Sequence, residues 1–394
     1  MLVPVARSIQ PVLRHLATLA FLALIFLPLI LLGRPAALGY DLLENRLPHD
    51  FPKSWSVKYL EHVGSFFSDS HGFRNALVLL GGRVMLSIGI NSTHPGVVAG
   101  KDGWLFYLDE NSDRGRATMK DFRGRQPFTP DQLAAIRANL ESVGRAFRRC
   151  GVPFVVWLVP NKQTVYGEHL TGFKEAKGGK RLDQLVEALR ETKELPWIDA
   201  RPALFAAKDV DHRELYFRTD THWNGLGAFV AYESLMAGLM PMLGLAWTEN
   251  TASARYDIKI SPFSMGDLSS NMLNAQWRFK DSSVELVPRF AQTAVEVPTD
   301  QVIASAGVAI PNLSSSWMNP EGKKAMVLYG DSFANAVIPY FREHFGRGYF
   351  ISDYIVDGEI SGKLRPNLVI LQIVERNLAS LAAKPRNLDA LCSS

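Results

Sequence analysis

The sequence predicts an α/β protein built on a mostly parallel sheet flanked by helices, and three observations carry that expectation. Short, uninterrupted apolar runs rich in β-branched residues recur along the chain, as in strands buried on both faces. Stretches with apolar residues at helical spacing lie between them, the alternation that builds a parallel sheet covered on both sides. One long segment, about 247–319, breaks the alternation and is rich in Ser, Thr, Asn and Pro.

Taken in order, the chain opens with a tail carrying Arg7 and Arg14. An apolar run without charge follows from Leu16 to Gly33 and stops at Arg34. That run is long enough to cross a bilayer, and the flanking arginines set its N-terminal end in the cytoplasm. A cleaved signal peptide is the rival. The sequence after the run, Arg34-Pro35-Ala36-Ala37, lacks a clean small-x-small cleavage site, which favours an uncleaved anchor. Either way the rest of the chain is expected to be exported. The organisation expected is a cytoplasmic tail (1–15), a transmembrane anchor (16–33), a lead-in (34–95) and a main domain (96–394).

Within the lead-in, Phe66, Phe67, Phe73, Leu77 and Leu80 form a helical stripe expected to face a core. Val97 to Tyr107 reads as two strands about the turn Gly100-Lys101-Asp102-Gly103. Thr129-Pro130-Asp131 starts a helix whose Leu133, Ile136, Leu140, Val143 and Phe147 share one face, and Cys150-Gly151 ends it. Val152–Val159 is a buried strand, Lys180–Thr192 a helix, Trp197–Asp199 a short strand and Gly225–Leu243 a helix. The disrupted segment, with a β-like piece at Val284–Val287, reads as an insertion across the top of the sheet, where α/β proteins build binding surfaces. Ala325–Tyr329 is a strand, Ser332–Phe345 a helix and Leu368–Val374 a last buried strand.

With 47% hydrophobic and 21% charged residues, the composition excludes a disordered chain. The net charge of +4 falls to about +2 without the two tail arginines, too little to indicate nucleic-acid binding. Two cysteines, Cys150 and Cys392, offer no zinc-site spacing. A buried thiol and a separate tail thiol is the expected arrangement, with a disulfide as the alternative in an oxidising compartment.

Two segments carry chemistry. In Val327-Leu328-Tyr329-Gly330-Asp331-Ser332-Phe333 a buried strand turns into a helix, which exposes the Ser332 hydroxyl at the C-terminal edge of the sheet. The Ser332 amide then stands at a helix start, where unpaired donors favour a developing oxyanion. Helix capping by Asp331 and Ser332 explains the same residues without catalysis. In Phe217-Arg218-Thr219-Asp220-Thr221-His222-Trp223-Asn224, residues two apart in an extended stretch point to one side. Asp220 would then orient His222 while the other ring nitrogen faces a serine. A metal site is a competing use of the pair, but no third ligand stands at convincing spacing. A cap with a surface histidine is the plain alternative. The joint occurrence of both patterns favours a Ser332, His222, Asp220 triad.

Together these segments resemble the alginate O-acetyltransferase family of the AlgJ and AlgX type, whose catalytic domain is related to the SGNH hydrolases. Four further stretches fit it: Phe67-Ser68-Asp69-Ser70-His71-Gly72-Phe73-Arg74, Gly100-Lys101-Asp102-Gly103-Trp104-Leu105-Phe106-Tyr107, Val159-Pro160-Asn161-Lys162 with Tyr166, and Gly266-Asp267-Leu268 with Met272-Leu273. The resemblance runs from about Phe66 to Leu378. It implies an SGNH-like fold in which Asp220 and His222 match the Asp-x-His motif and Ser332 the serine of Gly-Asp-Ser. Arg376, Gln372, Lys162 and Asn224 are the candidates for contacting substrate. It implies transfer of acetyl groups to an exported, alginate-like polysaccharide through an acetyl-serine, with no cofactor. It also implies a multi-spanning membrane acyltransferase as donor and a location at the inner membrane facing the periplasm. A polysaccharide acetylesterase with the same triad and a non-catalytic glycan-binding scaffold are the competing readings.

The apolar run makes a prediction of its own. A periplasm-active reporter fused after Ser394 should be active, and the protein should stay with membranes through a high-salt wash. Release of a shortened soluble form would show that Leu16–Gly33 is a cleaved signal.

Overall fold

The computed structural model describes residues 15–23, 26, 49–70, 74–90, 92–108, 118–192, 194–208, 210, 213–244 and 252–392. Two compact units emerge, one of residues 1–95 with Ser269–Arg278, the other of Gly96–Leu268 with Phe279–Ser394. Most of the apolar run 16–33 lies outside the described residues, and among those described no helix is long and apolar enough to cross a membrane.

In the first unit the lead-in forms two helices, Tyr59–Ser70 and Arg74–Ser87. The expected core-facing stripe is met only in part, at Phe66, which is half-buried with its ring edge-on to Phe51. Leu77 and Leu80 are 58% and 60% exposed and Phe67 is exposed as well, while Phe73 lies outside the described residues. Leu86 is buried, and Asp69 pairs with His49 and Arg74.

The second unit contains a seven-stranded sheet. Numbering strands along the chain, β1 (Val97–Ala99) and β2 (Leu105–Tyr107) form a small hairpin, with the tight turn carried by Gly103 at φ +81°. The main sheet runs β4 (Trp197–Asp199), β3 (Phe154–Val159), β11 (Leu368–Val374), β9 (Ala325–Tyr329), β10 (Arg347–Ile351), β8 (Leu313–Met318), β7 (Val295–Glu296). The first five are mutually parallel, and β8 and β7 close one edge antiparallel. β5 (Tyr256–Phe263) and β6 (Asp281–Pro288) form a separate hairpin.

Alternation along the central strands builds the core. Val155, Trp157 and Val159 of β3, with Met326 and Leu328 of β9 and Leu368 and Ile370 of β11, face the helices Gly225–Met242 and Ile338–His344. Their neighbours Val156, Leu158, Val327, Tyr329, Val369 and Leu371 face Pro130–Arg149 and Arg181–Arg190 on the other side. Because both faces are covered, these strands read as unbroken apolar runs. The helix Pro130–Arg149 starts as expected, Thr129 and Gln132 forming a reciprocal capping box with Pro130 in the first turn.

Three expectations need correction. The stretch 247–319 is not wholly an insertion, because its end supplies β7 and β8 to the main sheet. Ser332–Phe345 is not one helix but a tight turn, Ser332–Ala336, followed by Ile338–His344, with Pro339 in its first turn. The cysteines are not separate thiols. The C-terminal turns fold back over Pro130–Arg149, where Asn139 donates to the carbonyls of Leu381, Ala382 and Ala383. That return brings Cys392 to Cys150, which caps the helix, and the two form a disulfide with Cα atoms 5.5 Å apart.

The cross-link closes a loop across nearly the whole unit, so its removal should be felt as stability. Reduction, or Cys392→Ser, is expected to lower the unfolding free energy by about 2–4 kcal/mol. Thermal melts with and without reductant check this, and an unchanged midpoint would show that the bond contributes nothing.

Candidate active site

All five parallel strands end at one edge of the sheet, and the chemistry-bearing side chains collect there. β9 ends at Tyr329, and Gly330 follows so close to β11 that a Cβ would lie 2.5 Å from Gln372 Oε1. Only glycine fits. Next, the Asp331 carboxylate accepts from the Phe333 amide at 2.9 Å, Gln372 Nε2 at 3.2 Å, the Val374 amide at 3.0 Å and the Tyr354 hydroxyl at 2.8 Å. Asn377 Nδ2 in turn donates to the Tyr354 hydroxyl. With Asp331 held on four sides, Ser332 stands exposed at the start of the tight turn.

The second segment, Tyr216–Trp223, folds into a narrow loop closed by a bridge between those two residues. Lys162, from the turn after β3, enters beneath it and donates to the carbonyls of Phe217, Arg218 and Asp220 at 3.1, 3.0 and 2.6 Å. Burial pushes its ammonium down to about 8, against the attraction of Asp267, Asp220 and Asp281. Trp223 Nε1 donates to the Phe333 carbonyl at 3.1 Å, tying this loop to the serine turn.

Between the segments, His222 Nε2 lies 2.7 Å from Ser332 Oγ, and His222 Nδ1 lies 2.6 Å from Asp220 Oδ1. With the Nδ1 proton donated to Asp220, Nε2 is free to accept from the serine. The buried ring of Phe333 packs under the imidazole, centroids 4.8 Å apart. Burial pushes the Asp220 carboxyl up, but the hydrogen bond and charge of His222, with the amides of Asp267 and His222, outweigh it and hold the pKa at about 2.

The structure therefore brings Ser332, His222 and Asp220 together, and it distributes the other four candidates differently. Gln372, fully buried, does not line the site but holds Gly330-Asp331, its Oε1 accepting from the Asp331 amide at 3.1 Å. Lys162, 2% exposed, is the internal anchor just described. Asn224, also 2% exposed, caps the helix Gly225–Met242 by accepting from the amides of Leu226 and Gly227. All three are polar residues whose hydrogen bonds are made inside the fold, to backbone groups and, for Gln372, also to the Asp331 carboxylate, which spacing alone does not reveal. Arg376 remains at the edge. Its guanidinium lies 5.1 Å from the Phe333 ring, and it lines a narrow notch with Tyr107, Thr118, Asn161, Lys162, Gln163 and Thr221.

Sequence reasoning also missed contributors. Asp267, from the stretch quoted above only for its family likeness, approaches His222 Nδ1 to 3.9 Å. It supplies the third acidic or imidazole group that spacing had not found, since Asp220, His222 and Asp267 can present ligand atoms within 4.8 Å of one another. Their carboxylate oxygens, however, already accept N–H and O–H groups: His222 N and Nδ1 and the Asp267 amide on Asp220, and Thr221 N and Oγ1 on Asp267. Glu375, just after β11, is buried and accepts from the Asn161 amide and the Thr164 hydroxyl at 2.9 and 2.6 Å. No local pattern announces these partners, because they come from segments 46 to 214 residues away.

The comparisons with known proteins bear on family and fold. Residues 97–336 match the family described as the SGNH hydrolase-like domain of the acetyltransferase AlgX. The chain belongs to that family. Among curated relatives, the probable alginate O-acetylase AlgJ of Pseudomonas syringae pv. tomato is 35% identical over 149 residues, 38% of this chain and 34% of the relative. AlgJ of Pseudomonas aeruginosa, with the same description, is 33% identical over 143 residues, 36% of this chain and 33% of the relative. The match thus spans about a third of the length of these relatives. Among solved structures, Bacillus cereus PatB1 with a sulfonyl adduct superposes with a TM-score of 0.52 at 17% identity, covering 72% of this chain and 95% of that one. At that identity the likeness is one of fold.

Glu375 gives the site a pH signature. Burial, then the charge of Asp121, raises its carboxyl to about 7, so between the ordinary value of 4.5 and 7 the folded state holds a proton that the unfolded state releases. The contribution of Glu375 to stability is therefore full below pH 4.5 and is lost as pH rises through 7. Glu375→Gln, which keeps an acceptor for Asn161 and Thr164, should flatten stability against pH over that window. Denaturant melts at pH 5 and pH 8 test this, and an unchanged difference between them would refute it.

Proposed function

We propose that this protein is an O-acetyltransferase that moves acetyl groups onto hydroxyls of an exported polysaccharide through an acetyl-serine at Ser332. The observation that carries the reading is the unbroken relay from Asp220 through His222 to an exposed serine, at 2.6 and 2.7 Å. Membership of the AlgX-type family supports acyl transfer, and the names of the AlgJ relatives support a uronic-acid polymer of the alginate kind as acceptor.

The mechanism follows from the geometry. His222 Nε2 takes the Ser332 proton as the hydroxyl oxygen attacks an acetyl carbonyl, and Asp220 stabilises the imidazolium that forms. The oxyanion develops beside the Ser332 amide, at the start of a turn where donors are not consumed by a preceding repeat. His222 then gives its proton to the leaving group. In the second half a sugar hydroxyl yields its proton to His222 as its oxygen attacks the acetyl-serine carbonyl, and His222 returns a proton to Ser332 Oγ as the acyl–serine bond breaks, restoring both residues. Arg376, at the rim, is placed to meet an anionic acceptor. The acetyl donor is a multi-spanning membrane acyltransferase that passes the group outward, and the site works at the periplasmic face of the inner membrane. The Cys150–Cys392 disulfide supports an oxidising compartment.

The full-length protein in detergent, given an activated acetyl ester, should acquire an acetyl group on Ser332 detectable by peptide mass spectrometry. A uronic-acid oligosaccharide should discharge it and emerge acetylated. Ser332→Ala and His222→Ala should each lower turnover by on the order of 10³-fold or more, and Asp220→Ala by less, because triad members act as a unit. Rapid release of acetate with no acetylated sugar would make the protein an esterase. Wild-type turnover in Ser332→Ala would overturn the mechanism.

A further inference from the structure

Asp267 belongs to no strand of the main sheet, yet the segment Gly266-Asp267-Leu268 is bound to the loop that carries Asp220 and His222 by four hydrogen bonds. The Leu268 amide donates to the Thr219 carbonyl at 3.2 Å, and the Asp267 amide donates to Asp220 Oδ2 at 2.8 Å. In return the Thr221 amide and hydroxyl donate to Asp267 Oδ1 and Oδ2 at 2.7 and 2.6 Å. The fit is close: a Cβ on Gly266 would lie 2.4 Å from the Thr219 carbonyl oxygen. Thr219 is itself held from the far side by Asp281, whose Oδ2 accepts its amide and its hydroxyl, both at 2.8 Å.

The exchange is reciprocal. The backbone of Asp267 occupies one oxygen of Asp220, and the side chain of Asp267 occupies both donors of the residue between Asp220 and His222. With Oδ2 taken, Asp220 presents Oδ1 to the imidazole, and rotation of its carboxylate would break the bond to the Asp267 amide. With Thr221 held, the backbone cannot turn His222 away from Ser332. Asp267 Oδ2 also lies 3.9 Å from His222 Nδ1, so a second negative charge faces the ring that becomes cationic when it accepts the serine proton.

We propose that Asp267 is a positioning residue for proton transfer between Ser332 and His222, acting through Asp220 and Thr221 rather than on substrate. This inference rests on the acetyl-serine reading above. The arrangement has an electrostatic cost that a purely structural contact could avoid. Burial, then the charge of Asp220, raises the Asp267 carboxyl, and the buried ammonium of Lys162 is the cation that faces both carboxylates together with Asp281. A serine or asparagine would satisfy part of Thr221 without placing a second charge there.

The test uses the full-length protein in detergent and the activated acetyl ester. Asp267→Asn keeps the backbone amide and one acceptor oxygen, but turns an NH₂ toward a Thr221 donor and removes the charge. It should lower kcat by about 10–100-fold with KM within about twofold, the size of effect seen when partners that orient a reactive group are lost. Because Asp267 acts through Asp220, Asp267→Asn in an Asp220→Asn background should cost less than threefold more. A residue that merely supports the fold would multiply the two losses. Should Asp267→Asn fail to fold, Thr221→Val removes the hydroxyl that donates to Asp267 and lies 3.3 Å from His222 Nδ1, and it should lower kcat severalfold and add little to Asp220→Asn. Wild-type kcat in folded Asp267→Asn, wild-type kcat in Thr221→Val, or fully multiplicative losses would overturn the proposal. An active Ser332→Ala would instead overturn the acetyl-serine reading, which separates the two failures.

Discussion

The carboxylate of Asp331 is the point on which the rest of the site depends. It receives donors from its own turn, from the end of β11 and from the loop after β10, so three neighbouring strand ends are fastened to one side chain. A carboxylate satisfied by several N–H and O–H groups tolerates partial burial well, and each donor restricts the directions in which the next residue can leave. Ser332 is that next residue. Its exposure at the sheet edge is thus a consequence of Asp331 being fully engaged, with Gly330 making room for Gln372 behind it.

A comparable arrangement serves the acid and base. The loop bearing Asp220 and His222 has no regular strand to stiffen it, and three outside groups hold it instead. Lys162 gathers its carbonyls from below, Asp281 takes Thr219, and the Asp267 segment closes over Thr221. Charges alternate across this small volume, with an ammonium flanked by carboxylates and the imidazole facing two of them. Such a cluster is costly to assemble without full pairing, and here its polar atoms find partners. The outcome is a preorganised relay, which is where the proposed acyl transfer draws its rate.

Fold and chemistry meet at the sheet edge. The parallel strands deliver the serine turn, the lysine turn and the Glu375–Arg376 segment to one side, as open α/β sheets do. Arg376 lines a narrow notch at that edge, and Ser332 is exposed.

The amino-acid sequence by itself determined the buried strands, whose apolar runs report burial on both faces, and the capped start of the helix at Pro130. It also made Ser332, His222 and Asp220 legible, because a strand-turn-serine and an Asp-x-His each impose their geometry within a few residues. Tertiary structure alone decided what depends on residues far apart in the chain. Cys150 meets Cys392 only because the C-terminus folds back over a helix, and Leu77 and Leu80 carry a helical period that does not say which face is covered. The polar groups of Lys162, Gln372 and Asn224 are spent inside the fold, Lys162 on distant carbonyls, Gln372 on Asp331 and Asn224 on the start of its own helix. Asp267 reaches Thr221 across the chain, and Tyr354 reaches Asp331 from a separate loop. Periodicity and spacing encode local geometry; hydrogen bonds across such separations are encoded only in the packed fold.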